Sequence, residues 1–168
     1  MDLKKISYRP YLDADFEKVF FIFCKFQDKA KIKTYENILK GYNDIFRARY
    51  LITEFGDIIR KNPYKYVGLD ENDKIIGFAC FKDSETFKNE IELVLVFKDE
   101  QFSYHRFLGS LVKSCFKKEF SGKRIFATLN QRAKFEKYLN FLKKRFNAKV
   151  LNKDSFGNVY VEFKNEDM

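Results

Sequence analysis

The chain has 168 residues, with 33 Lys and Arg against 24 Asp and Glu for a net charge of +9, and 18% of it is aromatic (21 Phe, 10 Tyr, no Trp). That length fits one domain. A hydrophobic content of 45% excludes a wholly disordered chain, and 7 Gly with 2 Pro exclude collagen-like or linker-rich organisation. The apolar runs at 19–24 and 91–97 fall well short of the roughly 18–20 residues of a membrane span. No apolar signal core follows Met1-Asp2-Leu3-Lys4-Lys5, so a cytoplasmic protein is expected. Cys24, Cys80 and Cys115 are odd in number, far apart and each set among apolar residues. They predict reduced core thiols, not a disulfide framework, and with a single His they predict no zinc site.

In chain order, residues 5–9 read as a strand closed by Pro10. Asp13 can cap a helix in which Phe16, Val19, Phe20 and Phe23 recur at spacings of three and four. Thr34 is a second cap candidate, followed at helical spacing by Ile38, Tyr42, Ile45, Phe46 and Tyr50; Gly56 is expected to interrupt or end this helix near Ile58 and Ile59. After Pro63, residues 64–69 and 74–81 form a hairpin about the polar turn 70–73. Residues 83–88 are a polar loop. Residues 91–97 are the strongest strand, apolar on both faces apart from Glu92, as a central strand should be. Residues 101–120 read as a helix with Leu108, Leu111, Val112, Cys115 and Phe116 in one stripe, ended by Gly122. A strand at 124–129, a helix at 131–146 and strands at 149–152 and 159–163 complete the chain. In the 131–146 helix, Phe135, Tyr138, Leu139, Leu142 and Phe146 share a face.

The order β-α-α-β-β-β-α-β-α-β-β, with no linker or repeat, predicts one mixed α/β (α+β) domain over 1–168. Along almost its whole length this order resembles the GNAT superfamily of N-acetyltransferases. Ile6-x-Tyr8-Arg9-Pro10 followed by Asp13-Ala14-Asp15-Phe16 looks like the family's first strand and helix, and Ile76-Gly77-Phe78 like its second hairpin strand. Asn130-x-x-Ala133-x-x-x-x-Tyr138 looks like the opening of its fourth helix, and Phe146-x-Ala148 like the descent into strand six. The resemblance implies a mostly antiparallel mixed sheet flanked by about four helices. It also implies acetyl-coenzyme A as cofactor and direct transfer of acetyl to an amine whose identity it does not name.

The family's diagnostic loop, Gln/Arg-x-x-Gly-x-Gly/Ala, offers backbone N–H groups at a helix start to the coenzyme pyrophosphate. Here the matching segment is Tyr104-His105-Arg106-Phe107-Leu108-Gly109, followed by Ser110. Only the last Gly is present; Phe107 stands at the first Gly and Tyr104 at the Gln/Arg. By resemblance, the backbone of Phe97, the segment 104–110 and Asn130 would hold the cofactor. Glu92 would be the general base for the acceptor ammonium and Tyr138 the acid for the leaving thiolate. An apolar setting would raise the pKa of Glu92. The acceptor would lie between the first two helices and the turn between the last two strands. Each residue also has a plainer reading: Glu92 as a solvated or Lys-paired strand carboxylate, Tyr138 as core, Asn130 as a helix N-cap, and His105 as a surface residue. Asp99-Glu100 reads as a cap pair for the third helix.

A second expectation keeps the fold without the chemistry. The stretch Leu95-Val96-Phe97-Lys98-Asp99-Glu100 and then Arg106-Phe107-Leu108 looks similar to small GNAT-like proteins of tailed phages, some virion-associated, in which a degraded loop would serve protein assembly. A third, nucleic-acid binding, rests on the charge alone. The cations of the two later helices fall mostly off the apolar stripe, as on a solvated face.

Overall fold

The computed structural model describes residues 5–30, 40, 44–85, 88–107, 110, 113–130 and 134–163. Its strands are β1 (Ser7–Pro10), β2 (Tyr64–Leu69), β3 (Ile75–Asp83), β4 (Glu90–Lys98), β5 (Arg124–Leu129), β6 (Lys149–Lys153) and β7 (Val159–Phe163). Its helices are α1 (Phe16–Ala30), α2 (Asp44–Lys61), α3 (Tyr104–Phe107), α4 (Lys113–Lys118) and α5 (Phe135–Phe146). The strands form one sheet in the order β1-β2-β3-β4-β5-β7-β6. Every pairing is antiparallel except β4 with β5.

Each face of the sheet carries its own core. On one face Ile91, Leu93, Ile125, Ala127, Val161 and Phe163 pack with Phe107, Cys115 and the inner side of α5. On the other, Val67, Phe78, Cys80 and Phe97 pack with Val19 and Phe23 of α1 and Leu51 and Phe55 of α2. The rings of Phe23, Phe55, Phe78 and Phe97 lie 5.0 to 6.0 Å apart in mutual contact. Stacked and edge-on pairs of this kind add to area burial, so much of the aromatic excess is core.

Several local expectations change. The second helix runs straight through Gly56 to Lys61, where a Cβ would meet only Arg60 Nη1 at 3.7 Å; one Gly inside a helix costs only about 1 kcal/mol. Its expected start at Thr34 lies outside the described residues. A 3₁₀ turn, Asp13–Asp15, precedes α1, and the working carboxylate is that of Asp15, not Asp13. Asp15 takes both Arg9 Nη1 (2.7 Å) and Nη2 (2.9 Å) and the Leu12 N–H (2.9 Å), tying β1 to the start of α1. The α5 N-cap is Lys134, in the left-handed region at φ 59°, so Asn130 is not that cap. Gly122 has the expected positive φ, 76°. Among the described residues no helix is long and apolar enough to cross a membrane.

The Arg9 hydrogen bonds, aided by the Leu12 N–H and opposed by burial, hold the Asp15 carboxyl below its ordinary value of 3.8. A depressed folded-state pKa contributes stability that is present above the unfolded value and lost as pH falls through the folded one. Asp15→Asn should therefore lower stability at pH 7, by about 1–3 kcal/mol, and flatten the loss of stability below roughly pH 4; urea titrations at pH 3 to 7 measure both. All three cysteines are free, and burial pushes the Cys80 and Cys115 thiols up to about 12. A thiol reagent should modify no more than Cys24, which is half-buried, until the protein is unfolded.

Candidate functional site

The only parallel pairing in the sheet is short. Glu90, Ile91, Glu92 and Leu93 pair with Arg124, Ile125, Phe126 and Ala127, and there the ladder stops. β4 continues to Lys98 and β5 to Leu129 without pairing to each other, so the two strands part towards their C-terminal ends. The parting starts beside a bulge. Phe81 pairs with Leu93 but Cys80 with Leu95, which leaves Val94 as an extra residue on β4. A bulge bends its strand and increases local twist, which turns β4 away from its neighbour.

Glu92 and Tyr138 lie on opposite faces of the sheet. Glu92 alternates with Ile91 and Leu93, which belong to the core on the α5 side, so it stands on the α1/α2 face. Tyr138 packs at the margin of the α5-side core. The divergence of β4 and β5 is an opening between these two faces. Phe26 of α1 touches both cores and lies 5.9 Å from Phe97.

Glu92 is not in the apolar setting expected for a base. Its Oε2 lies 3.6 Å from Lys82 Nζ, and its side chain is 30% exposed. Around it the α1/α2 face of β4, β5 and β7 is polar and aromatic. Phe126 and Tyr160 stack 5.5 Å apart, and Arg124 reaches Glu90 at 3.2 Å and Glu162 at 2.7 Å. Burial, then the charges of Glu92 and Glu90, raise the pKa of Tyr160, so it stays a neutral phenol at physiological pH. Glu90, missed at the sequence level because it precedes the apolar run, is buried with Oε2 unpartnered. Its position two residues before Glu92 was the available signal.

On the α5 side, the ends of β4 and α5 enclose a cleft of about 410 Å³ lined by Lys98, Phe102, Ser103, Lys134, Lys137 and Tyr138, among others. The loop expected to bind phosphate is built differently. Phe107 is fully buried, and its ring lies over Gly77, next to Ala79 on the same side of β3. A Cβ on Gly77 would collide with that ring and come within 2.7 Å of the Phe97 carbonyl oxygen. The helix starts a turn ahead of Phe107: Ser103 Oγ accepts from the Arg106 N–H at 3.4 Å, and the Ser103 carbonyl from the Phe107 N–H at 3.2 Å. Those two donors are satisfied by the protein. Asp99 serves its own turn, accepting from Gln101 N–H at 3.4 Å, and Ser103, not Asp99-Glu100, caps the helix.

Of the other expected cofactor residues, Phe97 is fully buried in the α1/α2 core on the part of β4 that has left β5. Asn130 is exposed just past the end of β5, and Arg106 and Ser110 are half-buried. Leu108, Gly109 and the side chains of Tyr104 and His105 lie outside the described residues. Among the described residues no group of His, Cys, Asp or Glu could hold a metal ion.

No family model and no curated protein matches the sequence. Solved structures do match the architecture. An acetyltransferase from Thermus thermophilus superposes with a TM-score of 0.67 at 12% identity, covering 96% of this chain and 98% of that one. The PaiA N-acetyltransferase of Thermoplasma acidophilum, in complex with coenzyme A, gives 0.64 at 15% identity over 95% and 99% of the two chains. A spermidine N-acetyltransferase of Vibrio cholerae gives 0.63 at 10% identity over 95% and 92%. The chain has the GNAT fold. The mixed, mostly antiparallel sheet and the order of its elements agree with the resemblance read from the sequence.

The Phe107–Gly77 contact makes a direct prediction. Gly77→Ala should cost about 1–3 kcal/mol by overpacking, and Phe107→Ala about 3–5 kcal/mol through the cavity it leaves. Because the added methyl would occupy space vacated by the ring, the double variant should be more stable than the sum of the two predicts. A double-mutant cycle in urea reads that coupling.

Proposed function

We propose that the protein is an acetyl-coenzyme A-dependent N-acetyltransferase acting by direct transfer in a ternary complex. The observation that carries this reading is the parting of β4 from β5 beside the Val94 bulge, with Glu92 and Tyr138 on either side of it. The GNAT fold supports it; a coenzyme A complex exists for one structure of similar fold.

The cleft beside Tyr138 fits the cofactor in kind. It has the cationic side chains of Lys98, Lys134 and Lys137 for phosphates, beside the carboxylate of Glu100, and the rings of Phe102 and Phe141 as apolar walls for the pantetheine arm. Lys98, Lys134 and Lys137 would hold it. Bound acetyl-coenzyme A supplies an acetyl group activated as a thioester. Glu92, on the far side of the opening, takes a proton from the acceptor ammonium so that nitrogen has a free lone pair. The Lys82 ammonium lies 3.6 Å from the Glu92 carboxylate and orients it. Tyr138 returns a proton to the departing sulfur. Amine and coenzyme thus approach from opposite faces and meet between the strands.

A second reading, a GNAT-fold protein devoted to assembly without catalysis, is favoured by Phe107, which replaces a loop glycine with a buried ring. Calorimetric titration separates the two. Saturable binding of acetyl-coenzyme A supports the enzyme; no heat at millimolar coenzyme overturns it. With an amine substrate in hand, Glu92→Gln and Tyr138→Phe should each lower kcat by about 10²-fold or more, while coenzyme affinity stays within roughly twofold.

A further inference from the structure

The outer face of α5 carries a strip of cations. Lys134, Lys137, Lys144 and Arg145 recur at spacings that keep them on one side of the helix, over about 16 Å of rise. All four are exposed, and among the described residues none has an ion-pair partner. The strip borders two adjoining clefts. The first is the one beside Tyr138 and Ser103. The second, of about 580 Å³, is lined by Lys137, Asn140, Phe141, Lys144 and Arg145. They share Lys137 and Phe141, so the two clefts adjoin as a groove along the helix. The donors at Arg106 and Phe107 are meanwhile taken by Ser103.

We propose that side-chain cations of α5 replace the backbone loop as the phosphate grip of this protein, with Lys144 and Arg145 seating the adenosine 3′-phosphate of the coenzyme. This rests on the acetyltransferase reading above. The pyrophosphate and the 3′-phosphate flank one ribose, a separation of the order of one to two helical turns, each about 5.4 Å. Lys134 and Lys137 face the first position and Lys144 and Arg145 the second. Charge-assisted bonds from Lys and Arg to phosphate are strong and need no bare backbone, so a Phe at the loop position is tolerated. Phe141 offers an apolar wall and Asn140 an amide to the adenosine. Exposed cations are screened by salt, so this grip weakens with ionic strength more than one made by buried N–H groups.

The test compares coenzyme A with dephospho-coenzyme A, which lacks only the 3′-phosphate, by calorimetry on the full chain. The wild type should bind coenzyme A about tenfold or more tighter than the dephospho form. Lys144→Glu/Arg145→Glu should erase that difference, and the milder Lys144→Ala/Arg145→Ala should reduce it. Lys143→Glu changes charge on the same helix but lies outside the groove, and should leave both affinities within twofold. Equal binding of the two coenzymes by the wild type, or undiminished discrimination in the double variant, overturns the inference while leaving the acetyltransferase reading intact. Loss of single-stranded oligonucleotide binding with coenzyme affinity unchanged overturns it in favour of a polynucleotide groove. No coenzyme binding by the wild type overturns both readings.

Discussion

Four residue pairs join β4 to β5, and the usefulness of the sheet depends on their stopping at Leu93 and Ala127. Had the ladder continued, the sheet would be a closed wall between its two layers. Because it stops, strand backbone from 94 onward lacks a neighbour on that side, and a polar ligand can take up those groups. The Val94 bulge is the local cause, since one surplus residue on β4 alters its twist just where pairing ends. Glu92 stands immediately before this point, and Tyr138 borders the cleft on the other face.

Near that opening, the segment after β4 has exchanged one kind of complementarity for another. Gly77 has no side chain and Ala79 a small one, and the ring of Phe107 occupies the space they leave. The arrangement binds α3 firmly to β3. In the same turn Ser103 accepts from the N–H groups of Arg106 and Phe107. At Phe107 the segment serves packing.

How much was legible beforehand follows from the range of the interactions involved. Strands 64–69, 74–81 and 91–97 announced themselves through local apolar runs and a polar turn, and the core stripe of α5 through its 3.6-residue period. Phe107 was recognisable as a misfit by its place in a motif, but its partner was not. Gly77 lies 30 residues earlier and meets it only through the fold. The Val94 bulge left no mark in an unbroken apolar strand. Gly56 misled because helix propensity is a weak local preference that the packing of Leu51 and Phe55 overrides. Asn130 misled because a good capping residue proves nothing about where the helix begins; Lys134, with no capping hydrogen bond, holds that place. A Lys partner for Glu92 is among the sequence expectations, but which Lys depends on the cross-strand register that sets Lys82 opposite it.

The brevity of the parallel seam also bears on how the molecule assembles. β2 with β3, β3 with β4, and β6 with β7 are neighbours in sequence, so their pairings close short loops. The β4–β5 seam joins residues more than 30 positions apart and offers only four pairs in return. Loop closure is paid before such contacts are gained. The hairpins close the short loops, while the seam, like the β1–β2 pairing, is among the costlier closures of the sheet. The gap between the strands is, in this light, also what leaves their long loop so thinly repaid.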